Sequence, residues 1–222
     1  MTSYTVSTIV TDVRTIIDEI QLNAALLIGG TDEGDIDTII KSKIVEAVRQ
    51  VLLNARADSL RGAETKVDSI QMENLVFTAG DGITKKVAYA DITNLLRFMY
   101  AYAPSWPQIV TEPITYLDAE YASLSDRYAT GDPSRPKVGI RPEEDGYRVS
   151  LYSVKEADEK SIVIAYIAEP TMVNDAISIL ETLYRPCLYQ IAGLTLLTLR
   201  DAHADSMFNQ ARLLLGVNEG QQ

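Results

Sequence analysis

The chain has 222 residues, 46% of them hydrophobic and 23% charged, a balance that suits a chain able to bury its own core. Its formal charge of -11 opposes binding to free nucleic acid, because a phosphate-tracking surface needs clustered Lys and Arg. The single cysteine, Cys187, excludes an intrachain disulfide, and the longest apolar uncharged stretch, between Arg185 and Arg200, falls short of the roughly 20 residues a membrane-spanning helix requires.

The start, Met1 to Tyr4, carries no basic region ahead of an apolar run, so a soluble protein made in the cytoplasm is expected, without membrane contact. Val6, Ile9, Val10, Val13, Ile16, Ile17 and Ile20 recur at helical spacing and predict an amphipathic helix over Thr5 to Gln21. Asn23 to Asp35, with three glycines, breaks it. A second helix begins in the acidic stretch Asp35 to Asp37, whose carboxylates suit a positive helix N-terminus, and carries Ile36, Ile39, Ile40, Ile44, Ala47, Val48, Val51 and Ala55 on one face.

From Ser69 the period changes. Ile70, Met72 and Leu75 to Phe77 lead through Ala79-Gly80-Asp81-Gly82 into Ile83 to Tyr89, which predicts a hairpin. Asp91 then caps a short predicted helix with Ile92, Leu95, Leu96 and Met99 inward, ended by Pro104 and Pro107 around Trp106. Leu117, Tyr121, Leu124 and Tyr128 predict another helix over Thr115 to Ala129, stopped at Gly131-Asp132-Pro133.

Three alternating runs follow: Val138 with Ile140, then Tyr147 to Leu151, then Ser161 to Ile167. They predict an antiparallel meander with charged turns at Glu143 to Gly146 and Lys155 to Lys160. Helical spacing returns through Val173, Ala176, Ile177, Leu180 and Leu183, and Pro186 separates that helix from the next. Leu188 to Leu199 is apolar nearly all round, predicting deep burial. Ala204, Met207, Phe208, Ala211, Leu214 and Leu215 form a second stripe, the pair broken near Asp201 and stopped at Gly216. Residues 217–222 have no periodicity and are expected to be mobile unless a partner holds them.

The expected fold is one α+β domain over 1–222: mainly a helical bundle with a small antiparallel β meander and an additional hairpin. Residues 1–65 and 171–216 are its helical parts, and 69–170 holds the strands.

Candidate chemistry is sparse. One histidine, His203, stands sixteen positions after Cys187, about 24 Å along a continuous helix, so the two do not form a nucleophile–base pair. A lone Cys and a lone His do not make a zinc site. Asp32, Glu33, Asp35 and Asp37 lack the calcium-loop spacing, and Gly80-Asp81-Gly82 followed by Lys85-Lys86 lacks the phosphate-loop pattern. No catalytic, cofactor or metal residue is therefore assigned. The twelve tyrosines are more distinctive, since Tyr joins a large apolar body to a polar tip and suits contact surfaces. Tyr100, Tyr102 and Trp106 beside Pro104 and Pro107 are candidate partner contacts, against the alternative that their rings close the chain's own core.

Several segments together resemble the head-to-tail adaptors of tailed bacteriophages. They are Val10-Thr11-Asp12-Val13-Arg14, Ala47 to Leu52, Gly131-Asp132-Pro133-Ser134-Arg135-Pro136, Tyr147 to Tyr152 and Ala165 to Pro170. The closing runs Tyr184 to Ala192 and Met207 to Leu214 carry the likeness furthest, as a final helical pair, while Ala57 to Pro113 has no counterpart. The resemblance implies a structural virion protein of the neck, not an enzyme, that needs no cofactor. By that likeness it forms a dodecameric ring with itself, meets the portal protein above and further neck or tail proteins below, and sees DNA only as passing cargo. It further implies that Val217, Asn218, Glu219, Gln221 and Gln222 reach the portal. The alternative class is an α+β enzyme or small-ligand-binding domain with a Tyr and carboxylate site, and a bacterial interaction module is a third.

Overall fold

The computed structural model describes residues 1–21, 33–76, 84–126 and 131–216. Along the chain run β1 (Thr2–Thr5), α1 (Val6–Gln21), α2 (Glu33–Asn54), β2 (Thr65–Lys66), β3 (Gln71–Val76), β4 (Thr84–Ile92), β5 (Leu95–Tyr102), β6 (Ile114–Thr115), β7 (Lys137–Glu143), β8 (Gly146–Val154), β9 (Val163–Ala168), β10 (Met172–Val173), β11 (Ala176–Ile179), α3 (Glu181–Thr198) and α4 (Ala204–Leu214). Short 3-10 turns lie at Ala57–Leu60, Tyr121–Ser125 and Glu156–Ser161. The fold is α+β, with the strands in three sheets, a larger share of strand than a mainly helical bundle allows. It packs as two compact units, Met1–Ala63 with Glu169–Gln222, and Glu64–Ala168.

In the first unit both opening helices follow their apolar stripes. Ile9, Val10, Val13 and Ile17 of α1 are buried, as are Ile40, Ile44, Ala47, Val48 and Val51 of α2. Thr5 caps α1, its Oγ1 accepting from the Thr8 N–H at 3.2 Å. Arg14 Nε pairs with Asp37 Oδ1 at 2.6 Å, and the Gln190 amide donates to Gln50 Oε1 at 2.6 Å. α3 packs on α1, α2 and α4.

The helix expected from Val173 to Leu183 is instead the tight hairpin β10–β11. Asn174 and Asp175 both sit at positive φ, 51° and 52°, the conformation a two-residue hairpin loop demands. β1 adds to the outer side of β11, with Tyr4 opposite Ile177. Pro186 does not end a helix either. It stands inside α3, in its second turn, where the missing N–H forfeits one bond and the fixed φ still suits the helix.

The break near Asp201 has a defined geometry. Arg200 adopts φ 57°, its N–H donates to Leu197 O at 3.1 Å, and the Asp201 N–H donates to Leu196 O at 2.9 Å. These are the two bonds of a left-handed helix stop. α4 ends on Gly216, at φ 68°, whose N–H donates to Leu213 O at 3.0 Å.

In the second unit, β2-β9-β5 and β3-β4-β8-β7-β6 form two sheets around Ala88, Ala101, Val138, Val149, Leu151 and Ile164. The expected hairpin is β3–β4; its tip, Ala79 to Gly82, lies outside the described residues. The helix expected after Asp91 is strand β5. Thr93 and Asn94 turn the chain back, and Leu95 to Tyr102 pairs with β9, interrupted by register shifts after Leu95 and Phe98. Aromatic residues at 98, 100 and 102 favour the strand over the helix that the apolar spacing suggested.

Of the helix expected over Thr115 to Ala129, the described residues show only the short turn Tyr121–Ser125, with Leu124 buried beneath it, and residues 127–129 lie outside them. The meander is only half there. β7 and β8 pair as expected, with Gly146 at φ 147°, while β9 leaves for the other sheet and β4 takes its place beside β8. At the β4–β8 seam Ser153 is an extra residue, bulged at φ 64°, between Tyr152 opposite Val87 and Val154 opposite Lys86.

Candidate functional site

The aromatic and proline loop folds inward. Trp106 is 4% exposed, packs in the second unit's core, and donates its ring N–H to Ser153 O at 3.4 Å. Its backbone N–H closes a turn on Ala103 O, and the neighbouring Ser105 hydroxyl bonds the buried Asp158 carboxylate, which also accepts from Lys155 N. Tyr100 and Tyr102 are half-buried on β5, opposite Ala165 and Val163. Residues 217–222, the other candidate contacts, lie outside the described residues.

A different segment of the same unit does present apolar side chains. Ile114 of β6 packs, with Tyr121, against Val87, Leu124 and Tyr152, and the Tyr116 N–H donates to Ile140 O at 2.9 Å, fixing the chain beside β7. Between these anchors the chain reverses at Thr115–Asp118. The Asp118 N–H donates to Thr115 O at 2.9 Å, while Asp118 Oδ2 accepts from the Thr115 N–H at 2.6 Å and from its hydroxyl at 2.9 Å. The two corner residues of this clamped turn are Tyr116 and Leu117, exposed by 54% and 79%.

Turn corners are ordinarily Gly, Pro, Asn, Asp or Ser, each for a backbone reason. Here Asp118 does the turn's work and the corners carry a ring and an isobutyl group that the fold leaves in water. The backbone of the turn is held by these bonds while both corner side chains stand exposed. Sequence spacing hid it, because Leu117 completed a helical pattern with Tyr121 and Leu124. The readable signal was the Thr-x-x-Asp frame with Pro113 just before it.

The base of the turn is tightly built. Tyr121, Leu124 and Tyr152 lie over Gly139, where an added Cβ would meet Leu124 Cδ1 at 3.0 Å and Tyr152 Cε2 at 3.1 Å. Burial pushes the Tyr121 phenol up from its ordinary value, and the Tyr152 phenol to about 12.

One cluster of charged groups in the unit is mutually paired. Arg148 forks onto Asp91 at 2.7 and 3.0 Å, lies 3.5 Å from Glu143, and covers the Tyr89 ring at 4.4 Å. The Arg148 hydrogen bond holds the Asp91 carboxyl below its usual range. This cluster staples β4, β7 and β8 at their ends, with the Arg148 fork committed to Asp91.

In the first unit, His203 stands at the α3–α4 junction, with its N–H and Nδ1 both 2.8 Å from Asp201 Oδ1. Cys187 is buried, and burial pushes its thiol up. Tyr184 and Asp12 make a tyrosine–carboxylate pair at 2.6 Å, capped by the stacked ring of Tyr4. Among the described residues no three His, Cys, Asp or Glu side chains gather as a metal site, and no helix is long and apolar enough to cross a membrane.

Compared with known proteins, the chain matches no family model and no curated sequence at a significant level.

Proposed function

We propose that this chain is a structural subunit of a tailed-bacteriophage neck. Copies close into a ring beneath the portal, dodecameric by the resemblance, and continue the DNA channel from head to tail. One observation supports this reading above the rest. The opening segments that carry the likeness, in α1 and α2, and the closing ones, in α3 and α4, are distant in sequence yet pack as a single helical unit. The Gly131 to Pro136 segment of the likeness leads directly into β7.

Function in such a part is geometric. Identical subunits joined through unlike surfaces make a closed ring when the rotation between them closes. A net charge of -11 suits a wall past which DNA slides, since like charge discourages sticking. Cryo-electron microscopy of the virions tests the reading: a ring of this chain at the portal exit is expected, and its absence from the particles overturns the proposal. Deleting residues 217–222 is expected to leave folding intact and weaken portal docking.

A further inference from the structure

Where a helix stops on a left-handed residue, that residue is usually glycine. α4 follows the rule at Gly216, φ 68°, whereas α3 reverses on Arg200 at φ 57°. Arginine is among the better helix formers, and its side chain is strained at positive φ. From Leu194 to Leu213 the chain contains neither Gly nor Pro. We infer that the joint from Leu199 to His203 is an exchange hinge. It straightens, α3 and α4 become one helix over 181–214, and α4 packs on α3 of a second copy.

The reversal is held locally. Arg200 and Asp201 donate their N–H groups to Leu197 O and Leu196 O, and Asp201 Oδ1 accepts from the His203 N–H at 2.8 Å and lies 2.8 Å from His203 Nδ1. All of these bonds lie within the joint and the last turn of α3. Straightening therefore exchanges the backbone ones for the ordinary bonds of a continuous helix.

The second copy is the occupant that α3 already fits. Phe208 lies over Gly193, where an added Cβ would stand 2.6 Å from its ring, and Ala204, Met207, Ala211 and Leu215 are buried. An exchanged α4 brings the same side chains to the same face, so the closed and exchanged forms differ only at the hinge. A short hinge under strain favours the exchanged form. Exchange is reciprocal in a pair and sequential in a ring, so the inference stands apart from the neck reading.

Spin labels on Glu181→Cys and Leu213→Cys, both exposed positions, test it in the full-length chain, whose own cysteine is buried. In one continuous helix the two positions stand about 48 Å apart, at 1.5 Å per residue. The antiparallel hairpin keeps them within roughly 20 Å. Labelled chains are diluted with unlabelled ones, so that electron–electron distances report on single chains, and monomers and multimers are separated by gel filtration.

Concentrated protein is expected to yield multimers with the long distance and monomers with the short one. Multimers showing only the short distance overturn the inference, because the copies then meet through other surfaces. A virion ring with only the short distance removes the exchange and leaves the neck reading standing. Arg200→Gly relieves the hairpin and weakens the long helix, so it should lower the multimer-to-monomer ratio by roughly tenfold. Asp201→Ala removes the side-chain cap of the joint and should raise that ratio roughly three- to tenfold. A ratio indifferent to both substitutions overturns the hinge. So does a monomer at the highest soluble concentration in both the wild type and Asp201→Ala.

Discussion

The Tyr184 hydroxyl donates to Asp12 Oδ2 at 2.6 Å, joining α3 to α1, and the Tyr4 ring lies on the Tyr184 ring with centroids 3.8 Å apart. One phenol thus ties the first strand, the first helix and the penultimate helix. Burial, and then the Asp12 carboxylate, push that phenol above its ordinary value. Tyr184→Phe keeps the stack and removes the hydrogen bond, so a loss of about 1–2 kcal/mol is expected in urea unfolding. A midpoint unchanged from wild type means the bond is not a clamp.

The α3–α4 hairpin depends on a bare Cα. A Cβ added to Gly193 would lie 2.6 Å from Phe208 Cε1, closer than packing permits. Gly193→Ala is expected to cost about 1–3 kcal/mol through displacement of that ring. Combining it with Phe208→Leu should restore part of the loss, and a double-mutant cycle with no coupling would contradict the contact.

Arg200 and Gly216 close α3 and α4 with the same left-handed geometry, yet only one of them is glycine. A side chain at positive φ carries strain of roughly 1–2 kcal/mol, offset in part by the greater freedom glycine has when unfolded. Arg200→Gly is therefore expected to stabilise the chain by about 0.5–1 kcal/mol. Thermal melts of the two proteins decide the sign.

Stability should fall in strong base. Burial, with a smaller contribution from Tyr121, raises the Tyr152 phenol from 10.0 to about 12 in the folded chain. A raised folded value means the proton is held more tightly in the native state. The stabilisation is complete below the unfolded value of about 10 and is lost as pH climbs from there through 12, on the order of 2–3 kcal/mol. Tyr152→Phe should flatten the decline in melting temperature over that window.

The helices legible in sequence were those whose apolar stripes run long. α1 and α2 repeat their pattern over several turns, and a period of that length has one reading. Where the pattern spans only four or five residues, spacing of three and four also fits a strand with a turn. Ile92, Leu95, Leu96 and Met99 read as a helix until Thr93-Asn94 is recognised as the hinge before β5. Val173 to Leu183 read as one until Asn174-Asp175 is seen as a hairpin loop. The placement of β9 beside β5 and β2 was illegible for another reason, since partner choice among buried strands depends on packing that no local pattern encodes. The Tyr116–Leu117 turn was masked by its own hydrophobicity, read as burial where the fold leaves both side chains exposed.

The strand-rich unit is attached to its chain through β2 and β9, and those two strands are hydrogen-bonded to each other, Thr65 opposite Tyr166 and Lys66 opposite Ala165. Its incoming and outgoing backbones are thus neighbours, about 5 Å apart. A module wired in this way presents both its ends side by side, so a change of length between residues 67 and 164 leaves their spacing unaltered. If the likeness holds, variation among related chains is expected to concentrate in residues 67–113, the stretch without a counterpart.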